Sequence, residues 1–153
     1  MQPPSYRKID RQLNRQYSLL INDSDFRYHK LLIDGQRSWI RYRDLKCGEV
    51  FNAINPGEEA GIEKIGCLSS LTSSRFLELV YIESGISNDV FYNLLSVLGG
   101  GLSKARSELL QYIDNVSGPF EGSEYAKQNC KLTNAAYGED LKFCEVRIKY
   151  KDM

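Results

Sequence analysis

Four cysteines, at positions 47, 67, 130 and 144, constrain this 153-residue chain more than any other feature. None lies in a Cys-x-x-Cys pair and there is one histidine, so the close-set ligands of a zinc site are missing. The thiols are then either disulfides or buried side chains, and the fold must decide which positions meet. Four cysteines allow three connectivities. Closing a loop of about 20 residues would stabilise the fold by about 3 kcal/mol in the chain-entropy picture.

The apolar spacing is helical. Tyr6, Ile9, Leu13, Tyr17 and Leu20 make one stripe over 4–22. Asn22-Asp-Ser24 should break that helix, with Asp23 or Ser24 capping the next. A second helix is expected over 25–54. Tyr28, Leu32, Gly35, Trp39 and Tyr42 share one face, and Ile40, Cys47, Phe51 and Ile54 continue beside it. Gly35 alone disfavours it, by about 1 kcal/mol relative to alanine. Asn55-Pro-Gly57 stops it. A third helix should run over 62–83, burying Ile65, Leu68, Leu71, Leu79 and Ile82, and end at Ser84-Gly85. Further helices are expected over 87–98, 103–114 and 123–136, with Gly99-Gly-Gly101 as a turn or hinge. Residues 140–149 read as helical or extended.

The fold class is therefore all-α, a bundle built on an antiparallel helix hairpin. In that hairpin Cys47 lies opposite Cys67, while Cys130 and Cys144 flank a later break at Gly138. Two local disulfides are the natural pairing; four buried free thiols in a cytosolic chain are the alternative.

Twenty basic residues balance twenty acidic ones, so no broad positive field is available for nucleic acid. No apolar run approaches the roughly 18 residues of a membrane span. The start, Met1-Gln-Pro-Pro-Ser5, lacks the charged and apolar regions of a secretory signal. The chain is either cytosolic or a mature form. Ten tyrosines against one tryptophan suit half-buried and contact surfaces.

Three fragments occur in order: Asp10-Arg-Gln-Leu-Asn-Arg-Gln-Tyr17; Gln36-Arg-Ser-Trp-Ile-Arg-Tyr-Arg-Asp44 leading to Cys47; and Cys67 followed by Leu71-Thr-Ser-Ser-Arg75. Over roughly 6–83 this resembles the LprI-type lysozyme-inhibitor family, small secreted helical domains of bacterial envelopes. The resemblance rests on Leu13, Asn14, Tyr17, Gln36, Trp39, Arg43, Thr72 and Arg75. It implies export to the periplasm or beyond, a Cys47–Cys67 disulfide, and binding to a lysozyme-like hydrolase. Two features depart from the family. The stretch before the second cysteine, Glu58-Glu-Ala-Gly-Ile-Glu63, is more acidic, and the chain after Glu83 has no counterpart. Two parts are expected, 1–85 and 86–153, the second a helical extension or a decayed second copy.

The motif residues read first as architecture. Trp39 should fill the hairpin core, and Arg43 and Arg75 should pair with carboxylates such as Asp10 or Asp44. His29 lacks a partnering nucleophile and reads as a helix-face residue. The triple glycine lacks the lysine and hydroxyl residue of a phosphate loop. With no metal or cofactor motif, the chain is expected to be no enzyme.

The functional candidate is the loop over 55–63, where Glu58, Glu59 and Glu63 would attract a basic hydrolase. The alternative role for these acids is to offset the dipole at the third helix's N-terminus. The leading expectation is an exported, non-catalytic protein that occludes the active site of a peptidoglycan-cleaving enzyme. Two others stand beside it: an immunity protein against a cell-wall toxin injected by a rival bacterium, and a structural envelope domain without an enzyme target.

Overall fold

The periodic apolar stripes resolve into six α-helices in a computed structural model that describes residues 3–86 and 106–152. These are α1 (Pro4–Ile21), α2 (His29–Ile54), α3 (Ala60–Ser84), α4 (Arg106–Ser117), α5 (Ser123–Tyr137) and α6 (Leu141–Lys151). The helix expected over 87–98 and the triple glycine lie outside the described residues. Among the described residues there is no strand, and the all-α architecture is as the sequence implies.

Helices α1 and α2 both pack on α3, α4 and α5 both pack on α6, and α2 lies against α5. Helix α1 runs in the direction of α3: Pro3 borders the first turns of α3, and Gln16 bonds Glu83 near its end. Helix α2 runs opposite to α3. The main core joins Leu13, Leu20, Leu32, Trp39, Leu79 and Ile82 with Leu132 and Ile148 from the second half. A smaller cluster packs Leu109, Leu110 and Ile113 of α4 on Phe143 and Val146 of α6. The stripe expected on α1 is the one it buries, with Tyr6, Leu13 and Leu20 inside.

Several boundaries differ from the sequence reading, each for a local reason. Helix α2 starts at His29 rather than 25, because Asp23 Oδ1 accepts from the Asp25 amide at 2.9 Å and closes a turn ahead of the helix. No side chain caps α2. Helix α3 begins at Ala60, two residues early. Ile40, expected near the buried face, is 39% exposed. Helix α4, described from Arg106, runs to Ser117, three residues beyond the expected end at 114. Residues 140–149 are helical, and Asp140 caps them by accepting from the Phe143 amide at 2.9 Å. Gly85 and Gly138 end α3 and α5 at φ +73° and +68°, the left-handed cap that glycine adopts without strain. Gly35 lies where α2 meets α5, and a Cβ there would stand 3.7 Å from Arg75 Nη2 and 3.9 Å from the Asn129 backbone, ordinary contact distances that leave room for a methyl group.

Cys47 is bonded to Cys67 and Cys130 to Cys144, with Cα separations of 5.5 and 5.7 Å, and no cysteine is free. Each bond staples the two arms of one hairpin, α2 to α3 and α5 to α6. Denatured, unreduced protein should therefore show no titratable thiol, and reduced protein four. Replacing Cys47 and Cys67 together by alanine should lower stability by about 3 kcal/mol in urea denaturation.

Candidate functional site

The α2–α3 turn stands at one end of the bundle. The Cys47–Cys67 bond lies about two helical turns below it on both arms. Gly57 is required there: a Cβ would meet Ile54 O at 2.8 Å. Glu58, Glu59 and Glu63 are all exposed. Glu59 occupies the N-cap position of α3 but makes no capping hydrogen bond, and Glu63 lies in the first turn. Among the described residues, none of the three carboxylates is held by a hydrogen bond or ion pair. Ile62, between them, is 73% exposed. The turn therefore presents three unpaired carboxylates and one apolar side chain on a cross-linked base.

The other sequence candidates lie away from this turn. Leu13 and Trp39 are buried, and Tyr17 is half-buried against the core. Asn14 is exposed, its amide 3.5 Å from Asp10. Arg43 stacks over the Trp39 ring at 5.1 Å and pairs with the exposed Asp44 at 2.8 Å. Thr72 is fully buried one turn before Arg75. His29 sits edge-on to Phe26 at 5.5 Å, with no nucleophile hydrogen-bonded to it among the described residues.

Arg75 departs from expectation, because it pairs with neither Asp10 nor Asp44. It is fully buried, and its Nε donates to Gln36 at 2.8 Å while its Nη1 donates to Asn129 at 2.7 Å. Its guanidinium lies over the Tyr125 ring at 5.2 Å. The expected carboxylates lie on α1 and on the exposed side of α2, whereas Arg75 points inward to α5.

A second buried arginine completes this polar core. Arg147 donates through Nη1 and Nη2 to Glu78 at 2.7 and 2.8 Å, and through Nε to Glu139 at 2.9 Å. It stacks over Tyr81 at 5.0 Å, and Asn129 links the two groups by donating to Glu78 at 2.9 Å. Sequence reasoning missed Glu78, Asn129 and Glu139. The available signal was a charge on an apolar stripe: Glu78 lies three residues after Arg75 and just before Leu79 and Ile82, all facing inward.

The comparisons with known proteins now bear on this arrangement. A family model described as lysozyme inhibitor LprI matches residues 3–79. That span is half of the chain and holds α1, α2 and most of α3, with the turn between them. The chain belongs to the LprI lysozyme inhibitor family. No curated protein and no solved structure matches it. The membership covers the three-helix unit and its Cys47–Cys67 bond, and the match ends just before the residues that lead into the second half. The family is one of inhibitors, with proteins as its targets. Among the described residues no group of three histidine, cysteine or acidic side chains could hold a metal ion, and no helix is long and apolar enough to cross a membrane.

Two buried carboxyls make stability depend on pH in opposite senses. Burial alone would raise Glu78, but Arg147, with Lys151 and Arg75, holds it below the usual carboxylate range. The stability it contributes is lost as pH falls below its ordinary 4.5. Burial pushes Asp152 up to about 6, against Lys46 and hydrogen bonds from Ser74 and Tyr42. Unfolded, it ionises near 3.8, so between about 4 and 6 the native state holds the extra proton and stability falls as pH rises. Urea midpoints should therefore decline from pH 4.5 to 6.5, and Asp152→Asn should flatten the Asp152 share of that decline. The arginines should also separate. Arg147→Ala should cost about 3–5 kcal/mol by stranding two buried carboxylates, whereas Arg43→Ala, paired with an exposed acid, should cost about 1 kcal/mol or less.

Proposed function

We propose that this chain is an exported, non-catalytic protein that inhibits a peptidoglycan-cleaving enzyme by laying its α2–α3 turn across the active-site cleft. The observation that carries the reading is the exposed triad Glu58, Glu59 and Glu63, unpaired and mounted on a disulfide-braced hairpin. Unpaired surface carboxylates attract a basic enzyme and speed encounter. A cross-linked turn also loses little conformational freedom on docking. Export is supported by the two disulfides, which persist in oxidising compartments. An injected cell-wall toxin would be met by the same surface, so the immunity reading differs in target and not in mechanism.

The second half, 86–153, is best read as a decayed copy of the first. Each half has three described helices, with the second and third disulfide-bonded and the first and second packed on the third. The copies meet reciprocally: Arg75 of the first lies over Tyr125 of the second, and Arg147 of the second over Tyr81 of the first. Their turns differ. Fourteen residues rather than 20 separate the cysteines of the second hairpin, and Glu139 at its turn is buried against Arg147. One binding turn therefore remains.

The test is calorimetry against purified lysozymes of high and low isoelectric point and a panel of peptidoglycan-cleaving toxins. Binding should be one-to-one and strongest for a basic enzyme. Reversing Glu58, Glu59 and Glu63 to lysine should weaken it at least tenfold, or about 1.4 kcal/mol, while the fold is kept at a stability cost of about 1–2 kcal/mol from the α3 dipole. Unchanged affinity would remove the turn as the contact, and no binding to any enzyme would favour the structural reading.

A further inference from the structure

We propose that the acidic turn carries a side-chain-binding groove beside it. This groove takes an apolar side chain flanked by an arginine or lysine on the surface of the hydrolase. The inference rests on the inhibitor reading above and adds a second, non-electrostatic contact to it.

The groove, of about 700 Å³, lies between the start of α1 and the first two turns of α3. Pro3, Gly61, Ile62, Ile65 and Leu68 line it. Its floor is the edge of the main core, since Leu68 is buried and Ile65 packs against that cluster. Its lip is Ile62, the 73% exposed side chain between the acids. Gly61 opens it further: a Cβ at that position would find nothing within 4 Å among the described residues, so no internal contact requires the glycine. An exposed helical glycine costs stability relative to alanine. Leaving it bare lets an incoming side chain approach the helix backbone closely.

The charges around the groove select the occupant. Glu58 borders it directly, with Glu59 and Glu63 nearby on the same turn. Among the described residues, the one cation on its border, Lys64, holds its ammonium over the Phe51 ring at 5.5 Å. The rim is therefore acidic and the floor apolar, complementary to an apolar residue beside a basic one. The two contacts should divide the kinetics. Exposed charges chiefly raise the association rate and are screened by salt, whereas a desolvated apolar anchor chiefly slows dissociation.

The experiment measures association and dissociation rates for the lysozyme that the unmodified chain binds most tightly, at about 50 and 300 mM salt. Ile62→Ser should raise the dissociation rate about tenfold or more at both salt concentrations and leave association nearly unchanged. Gly61→Leu, which fills the groove from open space, should weaken binding comparably. The three-glutamate reversal should instead slow association, and mostly at low salt. Circular dichroism should match the unmodified chain for both single variants, because both positions are exposed, and melting should be nearly unchanged for Ile62→Ser and unchanged or higher for Gly61→Leu. If Ile62→Ser and Gly61→Leu bind within about twofold of the unmodified chain while the charge reversal weakens binding, the groove is overturned and the inhibitor reading stands. If no lysozyme and no toxin of the panel binds the unmodified chain, both are overturned.

Discussion

The fold depends on a positive charge that it has buried. Arg147 is 1% exposed, and an isolated guanidinium in that position would cost several kcal/mol. Glu78 from α3 and Glu139 from the α5–α6 turn supply the matching carboxylates. Those partners belong to opposite halves of the chain, so the charges are satisfied only when both halves are in place. Arg75 repeats the arrangement from the other side, reaching from α3 to Asn129 and Tyr125 on α5. Asn129 joins the two sets by also donating to Glu78. Separating the halves would take Asn129 from Arg75 and part Arg147 from Glu78 at once. The polar core thereby specifies how the second hairpin docks on the first.

The acidic end of the molecule follows from a different constraint. The α2–α3 turn lies about 27 Å along α3 from Glu78, beyond the reach of the polar core. Its geometry is held by the Cys47–Cys67 bond and by the tight backbone at Gly57. The carboxylates there have no internal partner among the described residues, while those in the core are fully engaged. The chain is neutral overall but unevenly so, and the unevenness separates charges used to hold the fold from charges left to solvent.

Much of this was legible in the sequence. Helical spacing marks five of the six described helices and leaves 140–149 open between helical and extended, and Tyr6, Leu13 and Leu20 or Leu68, Leu71, Leu79 and Ile82 lie where period 3.6 puts them. The local disulfides followed from hairpin geometry, because residues on either side of a short turn must meet. Trp39 and Arg43, one turn apart, stack as their spacing allows. Partners remote in sequence were not legible. Arg75 was expected to find Asp10 or Asp44, since nothing in its neighbourhood names Asn129, 54 residues away. Glu78 stands on an apolar stripe, but its partner Arg147 lies 69 residues away. Asp23 failed as a helix cap because its own turn captured its carboxylate first.

The sequence by itself determined the class of fold, the two hairpins, their cross-links and the family, because each of these rests on short-range periodicity, spacing or local motif. It also located the acidic turn, which is a contiguous run. Only the tertiary structure decided which charges are buried in pairs and which face solvent, since that depends on helices distant along the chain arriving at the same place. It likewise decided that Ile62 is a lip rather than a core residue. The physical reason is that burial is a property of the packed neighbours, and a residue's own position in the chain does not name them.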